Sequence, residues 1–244
     1  MLVVWLALAV LTFAVLHFVV APYGRHSRTG WGPTVAARPA WVLMEAPSWA
    51  VLTLMLVLRT RPLSAPVLVL YALWMLHYLY RSLIYPWSLD RGAHRMPLLI
   101  LVFGAAFNIV NAYLNGRYLF AFGRIYTTAW LSDARFVGGC ALFAVGLAVN
   151  RWSDSLLRRQ RAAAGGYYVV PRGGLYSRVS SPGYLGEILE WCGWALAAWS
   201  LPALSFALWT IANLAPRAEA HHRWYRTHFP DYPRSRRRLV PGIW

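Results

Sequence analysis

Long runs of apolar residues recur along the whole chain, and they constrain its fold more than any other feature. A helix needs about 20 mostly apolar residues to cross a membrane. Runs of that kind lie near residues 2–20, 41–58, 66–86, 97–115, 136–157, 184–200 and 202–227. Only 13% of the residues are charged, against roughly 25% in soluble proteins. We therefore predict an all-α, polytopic membrane protein with about seven transmembrane helices.

The first apolar run, from Met1 to Val20, has the length of a membrane span rather than of a signal-peptide core. No basic residue precedes it, and no small-residue cleavage pattern follows it. We expect this segment to be a retained helix.

Arginines are distributed unevenly between the two sides of the predicted membrane domain. The links after helices one, three and five and the carboxyl-terminal tail hold most of them: Arg25, Arg28, Arg38, Arg91, Arg95, Arg158, Arg159, Arg161, Arg172, Arg178, Arg223, Arg226, Arg234, Arg236, Arg237 and Arg238. The other side has Arg59, Arg61, Arg117, Arg124 and Arg135, partly offset by Asp133. The positive-inside rule then places the amino terminus outside and the carboxyl terminus in the cytoplasm.

The formal net charge of +16 is also typical of nucleic-acid-binding proteins. Such proteins do not carry apolar runs along their whole length, so we expect no nucleic-acid partner. In a membrane protein the same charge fixes the orientation and can bind an anionic ligand.

Two polar helix faces follow the apolar parts of the fifth and seventh helices. The first has Asn150, Asp154, Arg158 and Arg161, and the second has Asn213, Arg217, His221 and Tyr225 at every fourth position. A loop with glycines and arginines lies between them and leads to Glu187 and Glu190. Together they would suit a ligand with phosphates and several hydrogen-bonding rings. The sequence lacks the GxGxxG and GxxxxGK[ST] motifs of soluble nucleotide-binding domains.

Ionisable groups at membrane depth are costly and are therefore functional candidates. Glu45 has no basic neighbour in the sequence, so we expect it to face an internal cavity, where loss of hydration favours its neutral, proton-donating form. It could instead be a structural carboxyl paired with Arg81. Tyr78 shares a helical face with Arg81, and could belong to an interfacial aromatic belt or face the same cavity as Glu45. Asn108, Asn111 and Asn115 form a further polar stripe, for which bonding between helices is the simpler role.

The cysteines and histidines indicate neither a disulfide framework nor a metal site. Cys140 and Cys192 lie far apart in apolar runs, and we interpret both as packing residues. His221 and His222 are adjacent, so they point to different faces of a helix. No HExxH motif is present.

These motifs resemble those of the steroid 5α-reductase family, of which this chain looks like a bacterial homologue. The resemblance is strongest from Asn150 onward, in NRWSDSLLRRQR, PRGGLY, YLGEILEWCGWALAAWSLPALSF, HHRWY and DYPRSR. Upstream, EAPS from Glu45 and HYLYR from His77 match in the expected order. Two positions depart from the pattern: Gly183 replaces the usual asparagine before the YLGE motif, and Val169 stands where some relatives have arginine.

The resemblance implies NADPH-dependent reduction of the conjugated double bond of a 3-keto-Δ4 steroid, or of a similar lipophilic enone, in the membrane. Glu45 and Tyr78 match the pair that holds the ketone oxygen. The predicted cofactor-binding residues are Asn111, Asn150, Asp154, Arg158, Arg161, Tyr168, Glu187, Asn213, Arg217, His221 and Tyr225. The whole chain would be one domain, with the substrate cavity in residues 1–135 and the cofactor site in residues 136–244.

The same resemblance implies an inner-membrane protein of a bacterium, with its cofactor site facing the cytoplasm. We expect a steroid-like substrate and membrane lipids as partners, and a monomer. Two alternatives stay open at this point. Arg178 to Glu187 approximates the RHPxYxGE signature of membrane methyltransferases that use S-adenosylmethionine, although the histidine is absent. A lipid transporter or receptor is the other alternative, although no internal repeat is present.

Overall fold

The computed structural model describes residues 1–89 and 95–244, and Arg91, one of the arginines counted for topology, lies outside them. The described part contains seven α-helices: α1 Leu2–Phe18, α2 Ala37–Val57, α3 Ala65–Leu79, α4 Leu98–Arg117, α5 Ala134–Ala163, α6 Pro182–Ala198 and α7 Leu201–His228. The prediction of an all-α membrane fold is confirmed.

Four helical segments of the described part are long and apolar enough to cross a membrane. They are Ala37–Val57, Ala65–Ser88, Leu98–Phe122 and Ala134–Ala163, and α1 is a shorter apolar helix of 17 residues. The number of spans, predicted as about seven, stays a prediction. α5 and α7 continue beyond their apolar parts to Ala163 and His228, as the sequence predicted.

Two short strands were not predicted from the sequence. β1 (Thr34–Ala36) pairs antiparallel with β2 (Arg95–Pro97), with Val35 opposite Met96. Arg95 strengthens the pair, because its Nε lies 2.7 Å from Thr34 Oγ1 and its Nη2 lies 2.6 Å from the Thr34 carbonyl. Three-residue strands are too short to show an alternating pattern, so the sequence gives no signal for them.

Two of the membrane-length segments end in a wider helical turn. α3 passes into a π-helical turn at Tyr80–Ile84 and a 3₁₀ turn at Tyr85–Ser88, and α4 passes into a π-helical turn at Tyr118–Phe122. π-Helical turns are rare in proteins, and those that occur are often found at functional sites. In α3 the wide turn contains Arg81, so it changes the direction in which that side chain projects.

The described residues form two compact units. The first unit contains Ala21–Val137 and Ser200–Pro202, and the second contains Met1–Val20, Gly138–Trp199 and Ala203–Trp244. Within the second unit α1 packs on α7, because Trp209 Nε1 donates to the Trp5 carbonyl at 3.1 Å and the two rings lie 4.7 Å apart. The assignment of residues 1–135 and 136–244 to substrate and cofactor stays a prediction.

α5 and α6 pack backbone to backbone within the second unit. A Cβ on Gly146 of α5 would lie 2.3 Å from the Glu190 nitrogen, and one on Gly186 of α6 would lie 2.5 Å from the Asn150 nitrogen. Gly139 and Gly193 make the same kind of contact one heptad earlier on α5 and one heptad later on α6. Small residues at this spacing let membrane helices approach closely. The pair of helices therefore has no room for any side chain at these four positions.

We predict that Gly186→Ala destabilises the protein, because the added methyl group meets the backbone of α5 and the helices must separate. Overpacking of this kind typically costs about 1–3 kcal/mol. The measurement is the thermal unfolding midpoint in detergent. Gly138→Ala is the matched control, because a Cβ there meets nothing within 4 Å and alanine favours a helix over glycine. Equal midpoints for the two variants would contradict the close contact.

Candidate active site

A buried polar cluster in the first unit is centred on Glu45, whose residue is 7% exposed. Arg81 Nη2 lies 3.4 Å from Glu45 Oε1, and Asn108 Nδ2 lies 3.4 Å from Glu45 Oε2. Asn108 Nδ2 also donates to the Met44 carbonyl at 2.7 Å. The carboxyl group is therefore held from both sides, by a cation from the turn after α3 and by an amide from α4. The pairing with Arg81 that the sequence left open is present.

Aromatic rings hold Arg81 against this carboxyl group. The Arg81 Cζ lies 5.0 Å from the ring centroid of Trp41 and 5.0 Å from that of Tyr85, within the range of a cation–π interaction. The two rings themselves meet edge to face at 5.4 Å. This environment fixes a guanidinium group in an otherwise apolar region.

Tyr78 is buried near the end of α3, two residues before the π-helical turn begins. It is 4% exposed, and its ring lies 5.2 Å from that of Trp74 and 5.0 Å from that of His77. Ser82 donates to the Tyr78 carbonyl at 2.7 Å and accepts from Trp49 Nε1 at 3.0 Å. The wide turn is thus tied to α2, and Tyr78 lies inside the unit rather than in an exposed aromatic belt.

Two buried polar groups near Glu45 have no hydrogen-bond partner among the described residues. These are Ser48 Oγ, one helical turn after Glu45, and Asn111 Nδ2, and both residues are 0% exposed. The Asn111 carbonyl oxygens are already engaged, because Asn115 Nδ2 donates to its side-chain oxygen at 3.1 Å and to its backbone oxygen at 2.9 Å. A free buried donor of this kind is costly unless a ligand accepts from it.

In the second unit, three predicted cofactor residues converge on the first turn of α6. Asn150 Nδ2 donates to the Gly183 carbonyl at 3.0 Å and lies 3.5 Å from Glu187 Oε2. A Cβ on Gly183 would lie 3.2 Å from Asp154 Oδ1, so Asp154 borders the space that the missing side chain leaves. Asn150 Oδ1 and the hydroxyl groups of Ser153 and Ser181 are buried without partners in the described structure.

The end of α5 carries the predicted arginines. The Arg161 Cζ lies 4.3 Å from the Tyr168 ring centroid, and that ring meets the Trp224 ring at 5.2 Å. Arg158 Nη1 and Arg161 Nε are buried nitrogen donors with no partner among the described residues. Buried cationic donors without acceptors are the groups that an anionic ligand would satisfy.

The four predicted polar residues of α7 do not share one set of contacts. Arg217 Nε donates to Tyr184 OH at 3.1 Å, and the Tyr184 ring lies 5.2 Å from the His221 ring. Tyr225 is 1% exposed and stacks on Tyr232 of the tail with ring centroids 5.2 Å apart. The fourth residue of the face, Asn213, is exposed. Tyr184, a contact residue that the prediction missed, lies in the YLGE motif that the sequence did single out.

A hydroxyl group joins the arginine-bearing loop to the carboxyl-terminal tail. Ser180 Oγ lies 2.6 Å from His222 Nδ1 and 2.7 Å from Tyr232 OH, and its backbone nitrogen donates to the Arg237 carbonyl at 2.9 Å. Burial raises the pKa of Tyr232 above its ordinary value, so this phenol stays a proton donor. His221 and His222 point to different partners, as their adjacency predicted.

The carboxyl-terminal part of the chain matches a family model. The model described as 3-oxo-5-alpha-steroid 4-dehydrogenase covers residues 94–244. The chain is similar over nearly its whole length to 3-oxo-5-alpha-steroid 4-dehydrogenase 1 from Bos taurus, at 39% identity over 97% of this chain and 93% of that protein.

Two further relatives give the same result in a second mammal and in a plant. The chain is 42% identical to 3-oxo-5-alpha-steroid 4-dehydrogenase 1 from Mus musculus, over 97% of this chain and 92% of that protein. It is 38% identical to steroid 5-alpha-reductase DET2 from Arabidopsis thaliana, over 96% of this chain and 91% of that protein.

We predict that Ser180→Ala loosens the tail, because the contacts of its buried hydroxyl with His222, Tyr232 and the Arg237 carbonyl are lost. The measurement is the rate at which trypsin cleaves at Arg234, Arg237 and Arg238, which should rise clearly. Ser177→Ala is the control, because Ser177 is exposed and donates only to the nearby Gly174 carbonyl. Cleavage rates equal to those of the unsubstituted protein would contradict this role of Ser180.

Proposed function

The chain belongs to the 3-oxo-5-alpha-steroid 4-dehydrogenase family, and we propose that it uses NADPH to reduce the double bond of a 3-keto-Δ4 steroid or of a similar lipophilic enone. Family membership makes it an oxidoreductase that acts on a CH–CH group. The main support for this proposed reaction is the buried carboxyl group of Glu45, which Arg81 and Asn108 hold in an apolar unit.

The ketone oxygen of the substrate needs proton donors during this reaction. Hydride addition at the β-carbon moves the double-bond electrons onto the ketone oxygen, which becomes an enolate or, once protonated, an enol. Donors aimed at that oxygen in a site without water lower the barrier, and one such donor is worth about 3 kcal/mol in hydrolases. We assign this role to Glu45, in its protonated form, and to the Tyr78 hydroxyl.

Arg81 and Asn108 position the Glu45 carboxyl group in this scheme. A protonated carboxyl keeps acceptor capacity on both oxygens while its single O–H donates, so contacts of 3.4 Å on each side are compatible with donation to a substrate. The enol that forms then returns to a ketone by taking a proton at the α-carbon and giving its O–H proton back to the Glu45 carboxylate. Solvent is the proposed source of that proton.

NADPH, when bound, supplies the hydride, and residues of the second unit are the proposed holders. Arg158 and Arg161 carry buried N–H groups that can donate to phosphate oxygens. Asn150 has a side-chain oxygen with no partner among the described residues. Arg217, fixed by Tyr184, adds a further cationic donor. The other proposed holders are Asn111, Asp154, Tyr168, Glu187, Asn213, His221 and Tyr225.

Gly183 leaves room where the family usually has asparagine. Because Asp154 Oδ1 lies 3.2 Å from the position of the missing Cβ, a water molecule or Asp154 itself can take over the hydrogen bond. We therefore expect Gly183 to alter cofactor affinity rather than the reaction. The proposed placement is the bacterial inner membrane, with a monomer whose cofactor site faces the cytoplasm.

The two alternatives lose support once the comparisons are considered. The relatives described above are named as steroid dehydrogenases or reductases, and a methyltransferase has no need of a buried carboxyl held as Glu45 is. Stabilisation of the purified protein by S-adenosylmethionine, and not by NADPH, would reopen the first alternative.

We predict that Tyr78→Phe lowers kcat about 100-fold, since one donor to the developing oxyanion is lost. Glu45→Gln should lower it by about tenfold or more, because an amide donates less well than a carboxylic acid. Enone-dependent oxidation of NADPH in detergent is the measurement, and the thermal shift caused by NADPH should persist in both variants. Tyr80→Phe is the control for Tyr78. Unchanged kcat in both variants would refute the assignment.

We predict that Arg217→Ala and Asp154→Ala chiefly weaken NADPH binding. An apparent Kd about tenfold or more above that of the unsubstituted protein is expected, since a hydrogen bond to a charged group contributes about 1.5–3 kcal/mol. Titration of the thermal midpoint with NADPH measures this Kd. Arg223→Ala is the control, because Arg223 is an exposed residue of the same helix. A Kd that stays the same in Arg217→Ala and Asp154→Ala would remove both residues from the site.

A further inference from the structure

The ends of α2 and α4 in the first unit enclose a hollow on the side opposite to the predicted cytoplasmic arginines. Its lining consists of apolar side chains and one arginine: Met55, Leu58, Tyr113, Gly116, Arg117, Phe120 and Ala121. The chain after α2 is joined to the end of α4 here, because the Thr60 nitrogen donates to the Phe120 carbonyl at 3.1 Å. We call this feature the α2–α4 hollow.

Gly116 lets α2 and α4 approach each other closely beside the hollow. A Cβ on Gly116 would lie 2.7 Å from Met55 Cβ, so any larger residue there would push the two helices apart. The rim includes exposed apolar surface, with Leu58 60% exposed and Tyr113 39% exposed. Exposed apolar surface of this kind marks an interaction site, and at the end of two membrane-length helices it can contact part of a lipid acyl chain.

Arg59 and Arg117 provide positive charge at the rim. Arg117 lines the hollow, and Arg59 follows the lining residue Leu58 directly. Both are exposed. The Arg59 guanidinium contacts only its own helix end, at 3.4 Å from the Leu56 carbonyl, and the Arg117 Cζ lies 5.7 Å from the Phe122 ring. Neither contact neutralises a charge.

Arg135 at this end is balanced by Asp133, while the Arg61 and Arg124 guanidinium groups contact other partners. Arg124 lies 3.9 Å above the Trp130 ring, and Arg61 donates to the Gly123 carbonyl. Arg135 donates to both oxygens of Asp133, at 2.9 and 2.7 Å, and this holds the pKa of Asp133 at about 2. Among the described residues, no other acidic side chain lies between Glu45 and Asp154. Arg59 and Arg117 therefore keep an unbalanced positive charge beside an apolar hollow.

We propose that the α2–α4 hollow binds one anionic phospholipid, with an acyl chain in the hollow and the phosphate on Arg117 and Arg59. Charge complementarity selects this occupant, because a zwitterionic lipid would bring a second positive group to the same rim. The site is independent of the reductase proposal. It uses neither Glu45 nor any residue of the proposed cofactor set.

The experiment titrates the full-length protein in detergent with phosphatidylglycerol and follows the thermal midpoint. Phosphatidylglycerol should raise the midpoint, and phosphatidylcholine with the same acyl chains should raise it much less. In the double variant Arg59→Gln, Arg117→Gln the apparent Kd for phosphatidylglycerol should rise about tenfold or more, since each arginine near an anionic lipid surface contributes roughly a fivefold factor. Inorganic phosphate, which lacks acyl chains, should produce no comparable shift.

Two further variants separate a specific site from general attraction to a basic protein. The double variant Arg223→Gln, Arg226→Gln removes an equal charge from exposed positions on α7 and should leave the lipid Kd unchanged. Ala121→Trp fills the hollow without changing the charge and should weaken binding. The proposal is overturned if the α7 double variant weakens binding as much as the rim double variant, or if Ala121→Trp leaves binding unchanged. It is also overturned if both lipids stabilise equally, or if phosphate alone reproduces the effect.

Discussion

The contact between the backbones of α5 and α6 is the constraint on which the proposed cofactor site depends. Four glycines let the two helices meet without side chains between them. Because Gly186 lies directly against Asn150, the Asn150 amide reaches the Gly183 carbonyl and Glu187. Asp154, one turn later, borders the same first turn of α6. The polar residues of two separate helices thus form one cluster only because the helix axes lie so close.

In the Glu45 cluster, by contrast, contacts between side chains hold the polar groups in place. A guanidinium group and a carboxyl group that are buried together both lose their hydration, and their contact contributes little stability unless the remaining hydrogen bonds are satisfied. Here Asn108 supplies one of these bonds, and two aromatic rings support Arg81. The free donors of Ser48 and Asn111 nearby stay unsatisfied. A site that keeps this expensive arrangement is suited to polarise a ligand, which is why we connect it with the ketone.

Residue patterns predicted much of the fold, because apolar length alone defines membrane helices. The polar faces of α5 and α7 were also predicted, since residues three or four apart share a face. Such spacing does not predict which other helix packs against the polar face. Asn108 was correctly placed on a stripe, yet its bond to Glu45 depends on how α2 packs on α4. The same holds for Tyr184 with Arg217, and for Ser180 with a tail residue 52 positions away. The strands at Thr34 and Arg95 are too short to leave any pattern.

We propose that Glu45 and Tyr78 hold the ketone of a lipophilic enone while NADPH binds to residues of α5, α6 and α7. A density map of the protein with NADPH and a 3-keto-Δ4 steroid tests it most directly. The account predicts the ketone oxygen within about 3 Å of a Glu45 oxygen and the Tyr78 hydroxyl, and the dinucleotide against Asn150, Asp154 and Arg217. A ketone directed away from Glu45, or a dinucleotide bound elsewhere, would contradict it.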